Sequence, residues 1–314
     1  MRLNVIIMGK NDLGVGCAEI LTADPDINIL GIVGHEGDSD QDGWQKSLIK
    51  FAVDHDIQYV TPKKIDKETL VDLAGGAELD YLFSFQYEKI IKPPVLSYPN
   101  SGCINTHFSL LPRNRGMYTI AWALIEGDEE TGVTIHYMDE GIDAGDIIGE
   151  RSFRIRDEHN AQDIYEKCNI EGIKLLRDLL PALKTKEYLG KPQDNRKATY
   201  HSKDSLDFEN TTVNWNGNGR KVFNRIRQMI FPVYQFPTVS LNGNTLQPSK
   251  VRLLEIFADG IEPGEFRMAV DEKGLKVASA DKFILIEKFH ENGSDVDART
   301  LWSRRGYPDK GRFE

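Results

Sequence analysis

Three side chains in two short stretches have the types and spacing to move a proton and hold a developing negative oxygen. The first stretch is Cys103-Ile104-Asn105-Thr106-His107-Phe108-Ser109-Leu110-Leu111-Pro112-Arg113-Asn114-Arg115-Gly116. Asn105 and His107 lie two apart, so if 103–107 is extended their side chains share one face. Histidine titrates near working pH and can accept a proton. An asparagine amide can donate to an oxygen that gains charge, and losing one such donor typically costs about 100–1,000-fold in rate. The bland alternative is a buried pair that satisfies loop backbone groups. The second stretch, Met138 to Ile148, carries Asp139, Asp143 and Asp146 among Gly141 and Gly145. One carboxylate there can hold a histidine's tautomer and favour its charged form, or act through water as a base. The residues leave both roles open. Asp139 and Asp146 read as turn caps.

The elements around these stretches must place them at the edge of a sheet. Leu3–Met8, Ile27–Val33, Ile57–Val60 and Leu79–Phe85 are apolar runs of strand length. Between them, Leu13–Leu21, 43–55 and Lys67–Leu73 have helical spacing. Strand alternating with helix predicts an α/β, doubly wound, Rossmann-like parallel sheet, with His107 at a strand's carboxyl end, where such sheets bind ligands. Gly132–Asp139 alternates as a strand. Asn160–Leu183 is a long amphipathic helix with Ile164, Cys168, Ile170, Ile173, Leu176 and Leu180 on its apolar side. Lys191–Lys197 reads as a linker. Beyond it lie one short helix, Val222–Ile230, and short alternating segments: Thr238–Leu241, Val251–Phe257, Glu265–Val270, Gly274–Val277 and Phe283–Phe289. The Asn242-Gly243 pair signals a hairpin. The expected domains are 1–190, catalytic, and 198–314, small and mainly β.

Composition removes several classes of function. The 314 residues carry 39 basic and 49 acidic side chains, a net of −10. Residues 200–314 hold 17 basic and 16 acidic, so the acid excess lies in the first 199. That balance argues against general binding of nucleic acid or anionic membrane. No stretch of 18 apolar residues and no signal-peptide pattern occurs, so a soluble, cytoplasmic protein is expected. Cys17, Cys103 and Cys168 fit no disulfide framework or zinc site and read as small buried side chains. The seven histidines form neither HExxH nor HxH, so no metal is expected. Gly9 to Gly16 follows the first strand but lacks GxGxxG and P-loop spacing, so it reads as a tight turn.

Asn-x-His-x-Ser-Leu-Leu-Pro-x-x-Arg-Gly, followed 36 residues after His107 by Asp143 in Asp-x-Gly-x-Asp-x-Gly-Asp-Ile, resembles the folate-dependent formyltransferase family. The similarity covers residues 1–190 well and extends loosely to Ile226-Arg227, Phe231-Pro232 and Asn242-Gly243. It implies Asn105, His107 and Asp143 as the catalytic trio and 10-formyltetrahydrofolate as cosubstrate, with no metal. It implies that Phe83 to Ile90 is the loop whose backbone cradles the pterin, with Phe85, Gln86, Tyr87, Ile90, Asp139 and Asp143 at the folate. The chemistry agrees. A neutral amine attacks the formyl carbon, oxygen gains charge, and a proton must leave the nitrogen.

The acceptor classes that compete are a nucleotide-linked amino sugar, an aminoacyl-tRNA and a small ribonucleotide amine. A folate-binding module without transfer activity would not need the trio. Gly34 to Gln45 carries Glu36, Asp38, Asp40 and Asp42 with no Lys or Arg, which opposes tRNA and so methionyl-tRNA formyltransferase. The C-terminal domain opposes the ribonucleotide enzymes. Arg115-Gly116-Met117-Tyr118 and Ala198-Thr199-Tyr200-His201 are similar to sugar-nucleotide formyltransferases, which implies N-formylation of an amino sugar on a nucleoside diphosphate, as in O-antigen precursor synthesis. Arg115, Met117 and Tyr118 would bind it, with Arg115 at phosphate or bracing the loop. A homodimer is expected through Val222, Phe223, Ile226, Ile230, Phe231, Val233 and Phe236.

Overall fold

The computed structural model describes residues 2–38, 43–269 and 273–313. The chain forms two compact units. The first comprises Met1–Met117, Gly132–Phe153 and Glu166–Ser202; the second comprises Tyr118–Thr131, Arg154–Tyr165 and Lys203–Glu314.

The elements of the first two-thirds run β1 (Leu3–Gly9), α1 (Asn11–Ala23), β2 (Ile27–Val33), α2 (Leu48–Asp54), β3 (Tyr59–Val60), α3 (Lys67–Ala74), β4 (Tyr81–Phe85) and α4 (Pro93–Leu96). They continue as β5 (Gly102–His107), β6 (Arg115–Gly116), α5 (Thr119–Glu126), β7 (Glu130–Tyr137), β8 (Ile147–Arg154), α6 (Ala161–Leu183) and β9 (Tyr200–His201). The main sheet has the order β3-β2-β1-β4-β5-β7-β8. Pairing is parallel from β3 to β5 and antiparallel between β5 and β7. The doubly wound sheet is therefore as expected, with an antiparallel β7 that strand alternation alone does not orient. Ile6, Ile7, Leu82 and Phe83 are fully buried, as continuous apolar strands covered on both faces must be.

Local chemistry sets the ends of the helices. The helix expected over 43–55 is shorter, because Ser47 accepts from Lys50 N at 2.9 Å and Asp38 accepts from Leu48 N and Ile49 N. Those bonds fix the first turn at Ser47. In α6, Asn160 and Asp163 exchange side-chain-to-backbone bonds of 2.8 and 3.0 Å, a reciprocal capping box. Ile164, Cys168, Leu176 and Leu180 are buried, but Ile170 is 52% exposed. Two residues after Cys168 is about 200° around a helix, which turns Ile170 off the buried stripe. Cys17, Cys103 and Cys168 are free and buried, and burial pushes the Cys103 thiol up to about 12.

The second unit carries α7 (Gly219–Met229), β10 (Val239–Leu241), β11 (Asn244–Phe257), β12 (Glu265–Met268), β13 (Leu275–Ala278), β14 (Lys282–Glu291), β15 (Ser294–Asp297), α8 (Ala298–Arg305) and β16 (Lys310–Arg312). The sheet runs β10-β11-β14-β13-β12-β16, with β15 on β14, and its pairings are antiparallel. Asn242 and Gly243 both have positive φ (51° and 72°), the turn that matches strand twist. Val270 lies outside the described residues. Val222, Phe223, Ile226, Ile230 and Phe236, expected to offer a pairing surface, lie in this unit's own core. Of that group Val233 is the one left substantially exposed, at 44%. Among the described residues no helix is long and apolar enough to cross a membrane, and no group of three His, Cys, Asp or Glu is placed to hold a metal ion.

Candidate active site

The end of β5 and the loop after β7 bring Asn105, His107 and Asp143 together. In β5, Asn105 is in register with Ser84 on one side and His136 on the other. His107 Nδ1 lies 3.6 Å from Asp143 Oδ1, and both side chains are mostly buried. His107 Nε2 is 2.8 Å from the Asn114 carbonyl oxygen. A carbonyl only accepts, so Nε2 carries a proton and the nitrogen facing Asp143 is Nδ1.

His136 is the member of this cluster that sequence reasoning misses. Its Nδ1 donates to the Tyr137 carbonyl at 2.7 Å. Its Nε2 lies 3.3 Å from Asn105 Nδ2 and 3.5 Å from Asp143 Oδ1. When the ring is neutral, Nε2 accepts from Asn105 and aims its amide, whose second hydrogen then has no partner among the described residues; when the ring is protonated, the same Nε2 donates to Asp143 instead. No motif spacing marks His136. The available signal was its place in an alternating strand seven residues before Asp143.

Burial opposes ionisation of Asp143, but the charge of His107, the bond and charge of His136, and the Gly116 N–H outweigh it. Together they hold the carboxyl well below the usual carboxylate range. The Gly116 N–H donates to Oδ2 at 2.8 Å. Two glycines make this closeness possible. Gly116 has φ +88°, and a Cβ there would sit 2.2 Å from the His201 carbonyl oxygen. A Cβ on Gly145 would lie 2.0 Å from the Tyr137 oxygen.

The rest of the first motif is scaffold. Ser109 Oγ donates to the Arg113 carbonyl, and Thr134 Oγ1 donates to Ser109 O while accepting from Leu111 N. The Leu111–Pro112 peptide is cis. Arg115 turns its Nε and Nη2 onto Gln193 Oε1 (3.1 and 2.7 Å) and Nη2 also onto Asn195. Gln193 Nε2 in turn donates to the carbonyls of Asp143 and Gly145. Of the two rival readings for Arg115, these bonds favour the brace over a phosphate grip. Met117 N donates to His201 O. Tyr118 belongs to the second unit, with φ +58° and an edge contact to Phe208.

The expected folate residues divide. Phe85 is fully buried and stacked on Phe83, so only its backbone can meet a ligand. Gln86 has φ +59°, Tyr87 is half-buried, and Ile90 is 80% exposed. Gln86 to Ile91 form neither strand nor helix, so their backbone groups are not committed to a ladder. Asp139 accepts from Gly141 N at 2.9 Å, the turn cap expected of it. The tight turn at Gly9 stands, with Lys10 N donating to Phe85 O. Asp40 and Asp42 lie outside the described residues.

Comparison with known proteins places this geometry. Residues 27–180 match the formyl transferase domain and residues 205–306 the formyl transferase C-terminal domain. The methionyl-tRNA formyltransferase of Listeria monocytogenes is 33% identical over 242 residues, 76% of this chain and 74% of that protein. Two solved structures match nearly end to end, each at 26% identity. One is WlaRD, a sugar 3N-formyl transferase in the presence of dTDP and 5-N-formyl-THF (TM-score 0.75, 91% of this chain and 97% of that one). The other is an N-formyltransferase from Helicobacter canadensis with folinic acid and dTDP-3-aminofucose (0.76, 90% and 98%). The chain belongs to the formyl transferase family, and formyl transfer is its chemistry.

Proposed function

We propose that the protein transfers a formyl group from 10-formyltetrahydrofolate to the amino group of a sugar linked to a nucleoside diphosphate. The observation that carries this reading is the near end-to-end likeness to WlaRD and the Helicobacter enzyme, across both units. The acidic balance supports it, since a tRNA acceptor needs many phosphate contacts. Within Gly34–Gln45, Glu36 is exposed and there is no Lys or Arg, although Asp38 is occupied in capping α2 and the exposed Lys46 follows directly. Methionyl-tRNA formyltransferase is the second reading, favoured by the 33% identity to the Listeria enzyme.

The acceptor amine attacks the formyl carbon of the donor, and as the tetrahedral intermediate collapses that carbon's bond to N10 breaks and tetrahydrofolate leaves with a proton on N10. The loop Gln86–Ile91 suits a planar heterocycle, with backbone groups outside any ladder and an exposed Ile90. Asn105, its amide held by a neutral His136, presents its second amide hydrogen to the oxygen that gains charge. Asp143 is held too far down to accept a proton near neutrality, so it keeps its charge and stabilises a protonated His107. His107 takes the amine's proton on Nδ1, because Nε2–H is engaged by Asn114. These assignments give the two roles left open by the spacing to separate residues.

The test is a formyl-transfer assay of the purified protein with 10-formyltetrahydrofolate against dTDP-, UDP- and GDP-amino sugars, beside methionyl-tRNA. Turnover of one sugar nucleotide with none of the tRNA is expected. Formylation of the tRNA alone would replace this reading with the second.

A further inference from the structure

The segment 191–201, of which Lys191–Lys197 was expected as a linker, is bound to the loops that carry the site. Lys191 exchanges backbone bonds with Ile147. Gln193 holds the carbonyls of Asp143 and Gly145 on one side and the Arg115 guanidinium on the other. Further on, β9 pairs in parallel with β6, Arg115 opposite Tyr200 and Gly116 opposite His201.

The densest contacts fall on Asn114. This residue is buried and left-handed, with φ +55°, a conformation asparagine tolerates better than most side chains. Its N–H donates to Thr199 Oγ1 at 2.8 Å. Its side-chain oxygen accepts from His201 Nε2 at 3.0 Å and from Thr199 Oγ1 at 3.3 Å. Its carbonyl is the group that accepts from His107 Nε2. What holds Asn114 therefore aims that carbonyl.

We infer that the strap 191–201 is a positioning element for the reaction: through His201, Thr199 and Asn114 it keeps the His107 proton on Nε2 and leaves Nδ1 facing Asp143. The same strap holds the Asp143 backbone through Gln193, so both members of the pair hang on one segment. This rests on the proposed roles of His107 and Asp143 in formyl transfer. Histidine tautomers in catalytic sites are set by the partner of the other ring nitrogen. Here that partner is a backbone carbonyl, which no substitution deletes, so the control lies in its anchors.

The test is 15N NMR of the full-length protein labelled at histidine nitrogens, with His107 assigned by loss of its signals in His107→Asn. In its neutral form, wild-type His107 is expected with a proton on Nε2 and none on Nδ1. Asn114→Gly keeps the left-handed backbone but deletes the side-chain anchor, and His201→Phe deletes the N–H. Both are expected to mix the His107 tautomers and to lower kcat about 10- to 100-fold, with each KM within about twofold. His201→Gln retains an N–H donor and should restore the wild-type spectrum. A wild-type proton on Nδ1 overturns the inference. So does an unchanged His107 spectrum in Asn114→Gly, even with a lowered Tm. If His201→Phe does not fold, the wild type, Asn114→Gly and His201→Gln still decide it. The spectra need no acceptor, so failure of every sugar nucleotide would refute the functional reading and leave this result standing.

Discussion

Asp143 and Arg227 are both charges taken largely out of water, one in each unit, and their neighbours differ in kind. Arg227 donates to the Asn224 amide oxygen (3.1 Å) and to the carbonyls of Arg156 (2.8 Å) and His159 (3.3 Å), over the Phe223 ring. Burial lowers its guanidinium to about 10, still charged at neutrality. None of those acceptors can titrate, so Arg227 ties α7 to the backbone of 156–159 at every ordinary pH. Asp143 faces two imidazoles. Each proton that reaches an imidazole strengthens its pairing with the carboxylate, and each that leaves weakens it. A buried charge among fixed dipoles holds a fold; a buried charge among titratable rings is built to respond to proton transfer.

The largest effect should come from Asp143→Asn, which keeps the shape and removes the charge. Turnover is expected to fall about a thousandfold or more, with the Gly116 contact and the circular-dichroism spectrum retained. Turnover within tenfold of wild type would make Asp143 another structural charge and erase the contrast. Arg227→Met should do the reverse. It leaves several buried acceptors unpaired, and urea titration should show a loss of about 2–4 kcal/mol, while kcat of the folded fraction holds. Arg115→Ala should weaken both substrates and lower stability together, by about 1–2 kcal/mol, since its bonds brace Gln193 and Asn195. A rise in KM confined to the sugar nucleotide would return Arg115 to phosphate.

The smallest expected effect is in acid. The Asp143 carboxyl is held below its unfolded value, so the folded protein binds this proton less readily. Its stabilisation is complete above about pH 5 and fades as pH falls below about 4. Wild type minus Asp143→Asn stability, followed by urea titration from pH 6 to 3, should therefore shrink towards the acid end. A constant difference would mean that the histidines do not hold the carboxylate.

Much of this was legible in the residues because it depends on near neighbours. The two-residue step from Asn105 to His107 needs only an extended strand to put both side chains on one face. Alternation of apolar runs and helical spacing determined the parallel sheet from β1 to β5, and Asn242-Gly243 its own hairpin. The glycine-rich stretch showed that one carboxylate could reach a histidine, and the resemblance of its motif implied Asp143. Other features stayed hidden for a physical reason. The helix Ala298–Arg305 presents only Ala298, Leu301 and Trp302 to the core, too few to show a period. The strand Lys310–Arg312 is an exposed edge with no apolar side chain.

Tertiary structure alone decided which polar groups meet. His136 reaches Asp143 because β7 runs antiparallel to β5 in one particular register, and register is a property of the pair of strands. Gln193 lies in a polar, proline-containing stretch whose composition reads as a linker, and with Thr199 and His201 just beyond it becomes a strap only where β9 pairs with β6. Arg115 turns to Gln193 for the same reason. Bonds between residues 78 to 87 apart leave no periodicity in the chain, because each partner is chosen by where the fold carries it.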